Sequence, residues 1–194
     1  MRSIIGIAAV AILFVGSGFA KDQDHNDAFM PGPENEAQMS KQIRHNLLML
    51  PYYSIFDDLA FRLNGSVVTL EGACPGDPPY DIRKDAEKAV KKVPGVTQVV
   101  NNIKVLPLSP MDWDIRRAMV RAIYGDSSIG MRYGYQALPS IHIIVENGHV
   151  TLEGVVDNQF DDTLIRTKAN SVPGVFSVTD HLRVLNPGEQ KKEK

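Results

Sequence analysis

Short sequence motifs occur twice in this chain, and the repetition limits the folds that it can adopt. Val68–Gly72 (VTLEG) returns as Val150–Gly154, and Val93–Val96 (VPGV) returns as Val172–Val175. The shared order and similar spacing of these motifs predict one small fold that occurs twice in series. Neither copy repeats a pair of acid, base, nucleophile or metal-ligating side chains, which favours binding over catalysis. We therefore expect no enzyme, no catalytic residue, no metal site and no cofactor.

Hydrophobic periodicity predicts the secondary structure of each copy. Apolar residues at helical spacing are followed by two alternating runs, a second helical run and a closing alternating run. Asn64–Gly65 and Asn147–Gly148 separate the alternating runs and indicate hairpin turns, and Asp112 is expected to cap the helix that opens the second copy. We predict an α+β protein of two tandem αββαβ modules, each a three-stranded mixed sheet with two helices packed on one face.

The two ends of the chain differ in composition from the repeated region. Arg2, a short apolar run and the small residues of Gly18–Ala20 predict a signal peptide that is cleaved after Ala20, with export to a periplasm. The run is shorter than the roughly 20 residues of a membrane span, so we expect no transmembrane span in the mature chain. The predicted segments are a signal peptide (1–20), a flexible leader (21–36), a first module (37–106), a linker (107–110), a second module (111–186) and a disordered tail (187–194).

Charge and cysteine content exclude two further classes. The formal net charge of −2 provides no electrostatic footprint for nucleic acid, so no nucleic-acid partner is expected. A single cysteine, Cys74, rules out an intramolecular disulfide. Its setting among glycines and prolines predicts a loop with a partly exposed, unreactive thiol.

The repeated motifs resemble the BON domain, a module named for bacterial osmotically induced and nodulation proteins. The resemblance covers about residues 37–106 and 110–185. It implies binding of phospholipid or another envelope component without catalysis, as in exported two-domain proteins of hyperosmotic shock and outer-membrane maintenance. The motifs that carry it are Asn64–Gly65, Val68–Gly72, Pro94–Val96 and Val99–Asn101 in the first copy, and Asn147–Gly148, Val150–Gly154, Gly174–Val175 and Val178–Asp180 in the second.

One helix face in the second copy is a candidate for lipid contact. Trp113, Arg116, Arg117 and Tyr124 lie on the side opposite the apolar stripe of their helix. Aromatic rings suit the headgroup region of a membrane, and guanidinium groups pair with phosphates. In the alternative, Trp113 packs into the junction between the copies and the arginines are solvated.

The segment Tyr124–Ser140 is a second candidate, since it is longer than its counterpart in the first copy. Its large side chains include Met131, Arg132, Tyr133 and Tyr135, interspersed with glycines. Tyrosine combines an apolar ring with a polar tip, so the segment is suited to contact a membrane or another protein. In the alternative, the segment folds back over the sheet or the other module.

Three further groups of side chains receive structural interpretations. The basic residues of the helix from Asp81 to Val93 alternate with acids and are expected on a solvated face. The scattered histidines have no metal-ligand spacing, and His142 and His149 are expected as surface imidazoles. Glu71 and Glu153 occupy equivalent strand positions without an identifiable acid or base partner.

These observations leave two functions. The first is an exported, non-catalytic protein that binds anionic phospholipid or another outer-membrane or envelope component and supports envelope integrity under osmotic or other stress. The alternative is a periplasmic adaptor or chaperone-like factor that holds another exported protein through exposed sheet edges or the tyrosine-rich segment.

Overall fold

The computed structural model describes residues 33–76 and 79–186. The predicted signal peptide, residues 21–32 of the predicted leader and the predicted tail lie outside these residues. The first helix begins at Pro33, so the last four residues of the predicted leader are helical. Among the described residues, no helix is both long enough and apolar enough to cross a membrane.

The first module consists of two helices and a mixed sheet. Its elements are α1 (Pro33–Leu48), β1 (Asp58–Asn64), β2 (Val67–Pro75), α2 (Ile82–Lys91), β3 (Gln98–Asn101) and β4 (Lys104–Leu106). β1 pairs antiparallel with β2, and β3 and β4 both pair parallel with β2. β3 and β4 keep the same register against β2 and form one strand line that is interrupted at Asn102 and Ile103.

The second module repeats this order with an insertion after its first helix. Its elements are α3 (Pro110–Tyr124), α4 (Ser127–Ile129), a π-helical turn (Gly130–Gly134), β5 (Ile141–Glu146), β6 (His149–Asn158), α5 (Gln159–Asn170) and β7 (Ser177–Asn186). β5 pairs antiparallel with β6, and β6 pairs parallel with the uninterrupted strand β7. The predicted α+β fold with two αββαβ modules is confirmed.

Each module has its own apolar core, and the cores establish which residues of the two helices are equivalent. Met39 of α1 packs next to Gly95, just as Ile115 of α3 packs next to Gly174 in the repeated VPGV corner. From this pair onward, the buried residues of α1 and α3 follow the same helical spacing. The equivalent pairs are Met39 and Ile115, Ile43 and Met119, and Leu47 and Ile123.

The glycine of the repeated VTLEG motif is required by the backbone in both modules. Gly72 and Gly154 have φ angles of 110° and 127°, a region that side chains disfavour. A Cβ atom would lie 2.1 Å from the carbonyl oxygen of Asp58 at Gly72 and 2.0 Å from that of Ser140 at Gly154. The motif therefore marks a point where two backbone segments meet too closely for any side chain.

Asp112 has a different role from the predicted helix cap. Ser109 caps α3 instead, because Pro110 begins the helix and the Ser109 side chain accepts a hydrogen bond from the Asp112 amide. The Asp112 carboxylate is fully buried and accepts hydrogen bonds from the amides of Asn147 (2.9 Å) and Gly148 (2.8 Å). It therefore fixes α3 to the β5–β6 hairpin turn.

The hairpin turns of the two modules differ by one position. The central turn residues are Gly65 and Ser66 in the first module and Asn147 and Gly148 in the second. Gly65 and Asn147 share the positive φ angle of the first turn position, 57° and 52°. The two Asn-Gly pairs are therefore not structurally equivalent, although both signal a turn.

The expected exposed position of Cys74 is wrong. Cys74 lies in β2, in parallel register with Val105 of β4, and is 1% exposed. Burial raises the pKa of its thiol to about 11. The thiol is thus a buried core group, and its lack of reactivity follows from burial and not from a loop setting.

Candidate functional site

The predicted lipid-facing side of α3 is turned toward the edge of β5. Arg116 is 1% exposed, and its guanidinium donates a hydrogen bond to the carbonyl oxygen of Val145 at 2.7 Å. The Tyr124 hydroxyl donates to the carbonyl oxygen of Ile141 at 2.5 Å. The prediction that Arg116 and Tyr124 lie on an exposed face is therefore wrong, because both side chains cap carbonyl groups at the open edge of a strand.

A segment of the first module covers this same face, and we call Ser54–Asp57 the junction segment. The amide of Ile143 donates to the carbonyl oxygen of Ile55 at 2.7 Å, which attaches the segment to the edge of β5. Ile55 and Phe56 pack against the core of the second module. The ring of Phe56 meets Trp113 edge to face, with centroids 5.5 Å apart, so Trp113 lies in the junction between the modules.

Polar groups complete the junction. Nδ1 of His142 lies 2.6 Å from the carbonyl oxygen of Asp57, and Lys104 pairs with Glu146 at 2.6 Å. The buried Asp57 carboxylate accepts hydrogen bonds from the amide and hydroxyl of Ser54. Burial raises the pKa of Asp57, and the Ser54 hydrogen bonds, His142 and Arg116 oppose this shift. The two modules therefore meet at an interface that combines apolar packing with hydrogen bonds.

The Tyr124–Ser140 segment folds back onto its own module. Ile129 and Tyr133 belong to the core of the second module. The Tyr133 hydroxyl donates to the Asp161 carboxylate at 2.5 Å and accepts from the amide of Asp157 at 3.0 Å. Burial and the Asp161 hydrogen bond raise the pKa of Tyr133 to about 12. Tyr133 is therefore an internal anchor of the segment and not a surface contact.

Two of the predicted contact residues remain exposed on this anchored segment. Met131 is 71% exposed and Tyr135 is 86% exposed. Arg132, between them, pairs with Asp161 in the first turn of α5, which brings the segment to the end of the module where β6 leads into α5. Phe160, also in this first turn, is 72% exposed. We call Met131, Tyr135 and Phe160 the apical surface of the second module.

The first module exposes apolar side chains at the equivalent end, which sequence reasoning missed. Leu48, Met49 and Tyr52 follow the first helix, and Tyr80 precedes the second helix. The rings of Tyr52 and Tyr80 stack with centroids 3.6 Å apart, which joins the two stretches into the apical surface of the first module. The sequence signal that could have predicted this surface is the group of apolar residues directly after the helical run from Met39 to Leu47.

Arg117 is the exposed arginine of the predicted α3 face. It pairs with Asp114 one helical turn away. Together with Leu108, Pro110 and Trp113 it lines a shallow pocket of about 440 Å³ at the start of α3. Of the two predicted arginines, Arg117 is therefore solvated, as the alternative interpretation proposed, whereas Arg116 is buried.

Several other charged side chains form local pairs. On α2, lysines pair with Asp81, Asp85 and Glu87, as expected of a solvated face. The sequence identified no acid or base partner for Glu71 or Glu153, and the structure places an ion-pair partner beside each. Glu71 of β2 pairs with Arg62 on the neighbouring strand β1, and Glu153 of β6 pairs with His181 on the neighbouring strand β7.

His149 is exposed, as expected, whereas His142 is half-buried in the junction, so the expectation of a surface imidazole is wrong for His142. The sheet register puts His142 opposite Glu153 and His149 opposite Glu146, so the two imidazoles do not meet across the hairpin. Within residues 33–76 and 79–186, no group of three or more His, Cys, Asp or Glu side chains could hold a metal ion.

Two αββαβ modules in series, joined through a strand edge, define a tandem-repeat α+β protein. The sequence profile of the BON domain matches residues 63–107 and 117–186, which together make up more than half of the chain. The chain therefore belongs to the BON domain family. BON domains are associated with binding to membranes and phospholipids, and proteins that contain them are generally non-catalytic binding modules.

Two solved structures are similar to this chain at low identity. One is CdsD, a structural protein of the type III secretion system of Chlamydia trachomatis, with 14% identity, 78% of this chain and 94% of that chain covered, and a TM-score of 0.27. The other is the C-terminal domain of CdsD from the same organism, with 13% identity, 75% and 96% covered, and a TM-score of 0.29. Among curated proteins, none matches this chain.

Proposed function

We propose that this protein is an exported, non-catalytic envelope protein that binds anionic phospholipid through the apical surface of its second module. The observation that carries the proposal is the exposure of Met131, Tyr135 and Phe160 on a segment that is otherwise fixed to the core. Apolar side chains that stand exposed on a fixed support are suited to enter the boundary between headgroups and acyl chains. The membership of the BON family supports this choice of ligand.

The support beneath this surface favours insertion at low entropic cost. Ile129 and Tyr133 hold the segment from below, and the Arg132–Asp161 pair ties it to α5. Because the segment is already ordered, little conformational freedom is lost when its exposed side chains enter a membrane. Arg132 is about half exposed, so its guanidinium can exchange part of its contact with Asp161 for a lipid phosphate.

Vesicle co-sedimentation tests the proposal. The mature chain, residues 21–194, is expected to sediment with vesicles that contain phosphatidylglycerol and to be recovered less with phosphatidylcholine alone. Replacing Met131, Tyr135 and Phe160 together with Ser should weaken binding at least about tenfold, because each apolar side chain contributes on the order of 1 kcal/mol when it is buried. Since all three are exposed, the melting temperature should stay close to that of the wild type.

Two control variants separate the surface from the function. The first control replaces Met49 and Tyr52 with Ser and alters the apical surface of the first module. The second control replaces Leu108 and Met111 with Ser and alters exposed residues at the start of α3. Both controls should retain vesicle binding. A loss confined to one of them moves the lipid surface there, and a wild-type protein that sediments with neither vesicle contradicts lipid binding itself.

The cellular part of the proposal rests on the sequence. A signal peptide cleaved after Ala20 would place the mature chain in a periplasm, where it supports envelope integrity under stress. N-terminal sequencing of the exported protein should begin at Lys21, and a deletion strain should be more sensitive to detergent and osmotic shock. A protein retained in the cytoplasm with its first 20 residues intact would contradict the proposed location.

A further inference from the structure

The two modules differ at one equivalent place, the groove between the first helix and the first strand. The core equivalence of Met39 and Ile115 extends to the neighbouring positions of the two helices. On α1, the positions equivalent to Trp113, Arg116, Val120 and Tyr124 of α3 are Ala37, Ser40, Arg44 and Leu48. In the α3 set, Trp113 packs against Phe56 of the junction segment and Arg116 lies near its Asp57, whereas the α1 set lines an open groove.

The second module shows what this kind of groove holds. Ile55 bonds to the edge of β5 through the amide of Ile143, and Ile55 and Phe56 both pack on the module core. Arg116 and Tyr124 cap two further carbonyl groups of the same edge. The groove is therefore filled by a tight turn, closed by a hydrogen bond from the Asp57 amide to the carbonyl oxygen of Ser54, that presents two adjacent apolar residues followed by the carboxylate of Asp57.

The equivalent groove of the first module has a volume of about 950 Å³ and is not filled by any of the residues that the structure describes. Leu59, Phe61 and Leu63 of β1 lie along it, half buried. Ser40 and Leu48, at the positions of Arg116 and Tyr124, make no hydrogen bond to β1. Within the described residues, no hydrogen bond reaches the outer edge of β1. An open strand edge of this kind is a template for one more strand.

The charges around the groove favour an acidic occupant. Arg44 of α1 and Arg183 of β7 both line it, and neither has an ion-pair partner among the residues that the structure describes. Glu36 is the acidic residue of the described lining and lies one helical turn before Ser40. In the second module, the corresponding acid of the occupant, Asp57, lies near Arg116 and His142.

We propose that the groove between α1 and β1 is a peptide-binding site for another protein. The bound segment forms a turn like Ser54–Asp57 and accepts a hydrogen bond from the open edge of β1 through one backbone carbonyl group. Its two adjacent apolar side chains enter between α1 and β1, and a carboxylate that follows them faces Arg44, with Arg183 close by. The site lies on the first module, away from the apical surface proposed for lipid, so it provides a function beyond membrane binding.

The junction segment itself does not compete for this site. It lies directly before β1 in the chain and is held on β5, where its short connection gives it a high effective concentration. A peptide with the same sequence in solution therefore meets an occupied groove on the second module and an open groove on the first.

Fluorescence anisotropy with a labelled peptide tests the proposal. The probe is Tyr-Tyr-Ser-Ile-Phe-Asp-Asp, which copies residues 52–58, and the protein is the mature chain. We expect saturable binding, and a loss of at least about tenfold when alanine replaces the phenylalanine of the peptide, because that ring is the main buried group. In the NMR spectrum, the amide of Phe61, which is equivalent to Ile143, should shift on binding.

A matched pair of protein variants identifies the groove. Arg44→Glu should weaken peptide binding by about tenfold or more, because it reverses a charge that faces the carboxylate. Arg62→Glu alters an exposed arginine of β1 that pairs with Glu71 and does not line the groove, and it should leave binding within about twofold. Both variants should retain vesicle binding, which separates this proposal from the lipid proposal.

Four outcomes would overturn the proposal. They are the absence of peptide binding, equal binding by Arg44→Glu and the wild type, chemical-shift changes at β5 in place of β1, and self-association of the chain that Arg44→Glu abolishes without peptide. The last outcome would assign the groove to a second copy of this chain.

Discussion

The two modules protect the edge of their first strand in different ways. In the second module, Arg116, Tyr124 and the junction segment together cover the edge of β5. In the first module, the equivalent edge of β1 has no partner among the described residues. Because a strand edge is an open set of hydrogen-bonding groups, the difference separates a structural contact from a free binding surface within one repeated fold.

A second difference lies in the third strand. Asn101 of β3 accepts a hydrogen bond from the amide of Ile103 and donates to Glu87 of α2. Asp180 occupies the equivalent place in β7, accepts from the amide of Leu182, and meets Asp162 of α5. One module therefore has an amide–carboxylate pair where the other has two carboxylates. The same backbone position thus holds a neutral amide in one module and a carboxylate in the other.

The largest effect is expected at a feature that the modules share. Replacing Gly72 or Gly154 with Ala places a Cβ against a backbone carbonyl oxygen at a positive φ angle, which should cost about 3–5 kcal/mol in either module. Urea denaturation would measure the loss. Gly65→Ala is the control, since it has open space around it and should cost less, from its φ angle alone.

The next largest loss of stability is expected at the first helix of the second module and not at that of the first. Asp112→Ala leaves two buried amides of the β5–β6 turn without an acceptor and should cost about 2–4 kcal/mol. Glu36, at the equivalent position of α1, makes no such contact, so Glu36→Ala should change the free energy of unfolding by less than about 0.5 kcal/mol. Equal losses in the two variants would show that the helices are anchored alike.

The junction segment provides a somewhat smaller effect. Phe56→Ala removes a half-buried ring that packs on Trp113 and should destabilise the second module by about 2–3 kcal/mol, below the cost for a fully buried phenylalanine. Tryptophan fluorescence during denaturation would report the loss at Trp113. Phe160→Ala, which alters an exposed ring of the same size, should leave the unfolding midpoint nearly unchanged.

The smallest effect concerns the charged contact of the third strand. Burial, followed by the nearby Asp180, raises the pKa of Asp162. A carboxyl group with a raised pKa in the folded state lowers stability as the pH rises through that pKa, because its ionised form is less favourable in the fold than in the unfolded chain. Asp180→Asn copies Asn101 of the first module and removes one charge.

We expect Asp180→Asn to be more stable than the wild type at pH 7, by no more than about 1 kcal/mol, and equally stable in acid, where Asp162 is protonated in both proteins. Denaturation at several pH values would measure the difference. Asn101→Asp provides the converse test, since it introduces a carboxylate beside Glu87 and should lower stability at neutral pH. A pH-independent difference would exclude the titration of Asp162 as its cause.

Local patterns predicted the fold, whereas contacts between distant residues determined the site. Apolar spacing and the VTLEG and VPGV motifs depend on neighbouring residues, so they predicted both modules and their order. The burial of Arg116 could not be predicted, because the polar face of α3 has the pattern of an exposed surface. In the folded protein, Ile55 and Phe56 of the other module pack against the second core beside this face. Cys74 was misplaced for a related reason, since Pro75 and Gly76 resemble a loop although β2 continues to Pro75.

The chemistry of the exposed segment was predicted more successfully than its anchoring. Met131 and Tyr135 were predicted as contact residues and are exposed, but Tyr133 has the same side-chain type as Tyr135 and is buried. What distinguishes the two tyrosines is the position of Asp161, which lies far away in the sequence. Side-chain type alone therefore could not separate the anchor from the exposed ring.

The position of the junction segment in the chain has a consequence for how this protein can be divided. Residues that complete the second hydrophobic core are encoded before β1, so a cut in the linker at 107–110 does not release two finished domains. The C-terminal fragment would have a bare edge at β5 and would be prone to associate with other chains. During synthesis, Ile55 and Phe56 are translated well before β5, the strand against which their segment is held. The two repeats therefore reach their final state together.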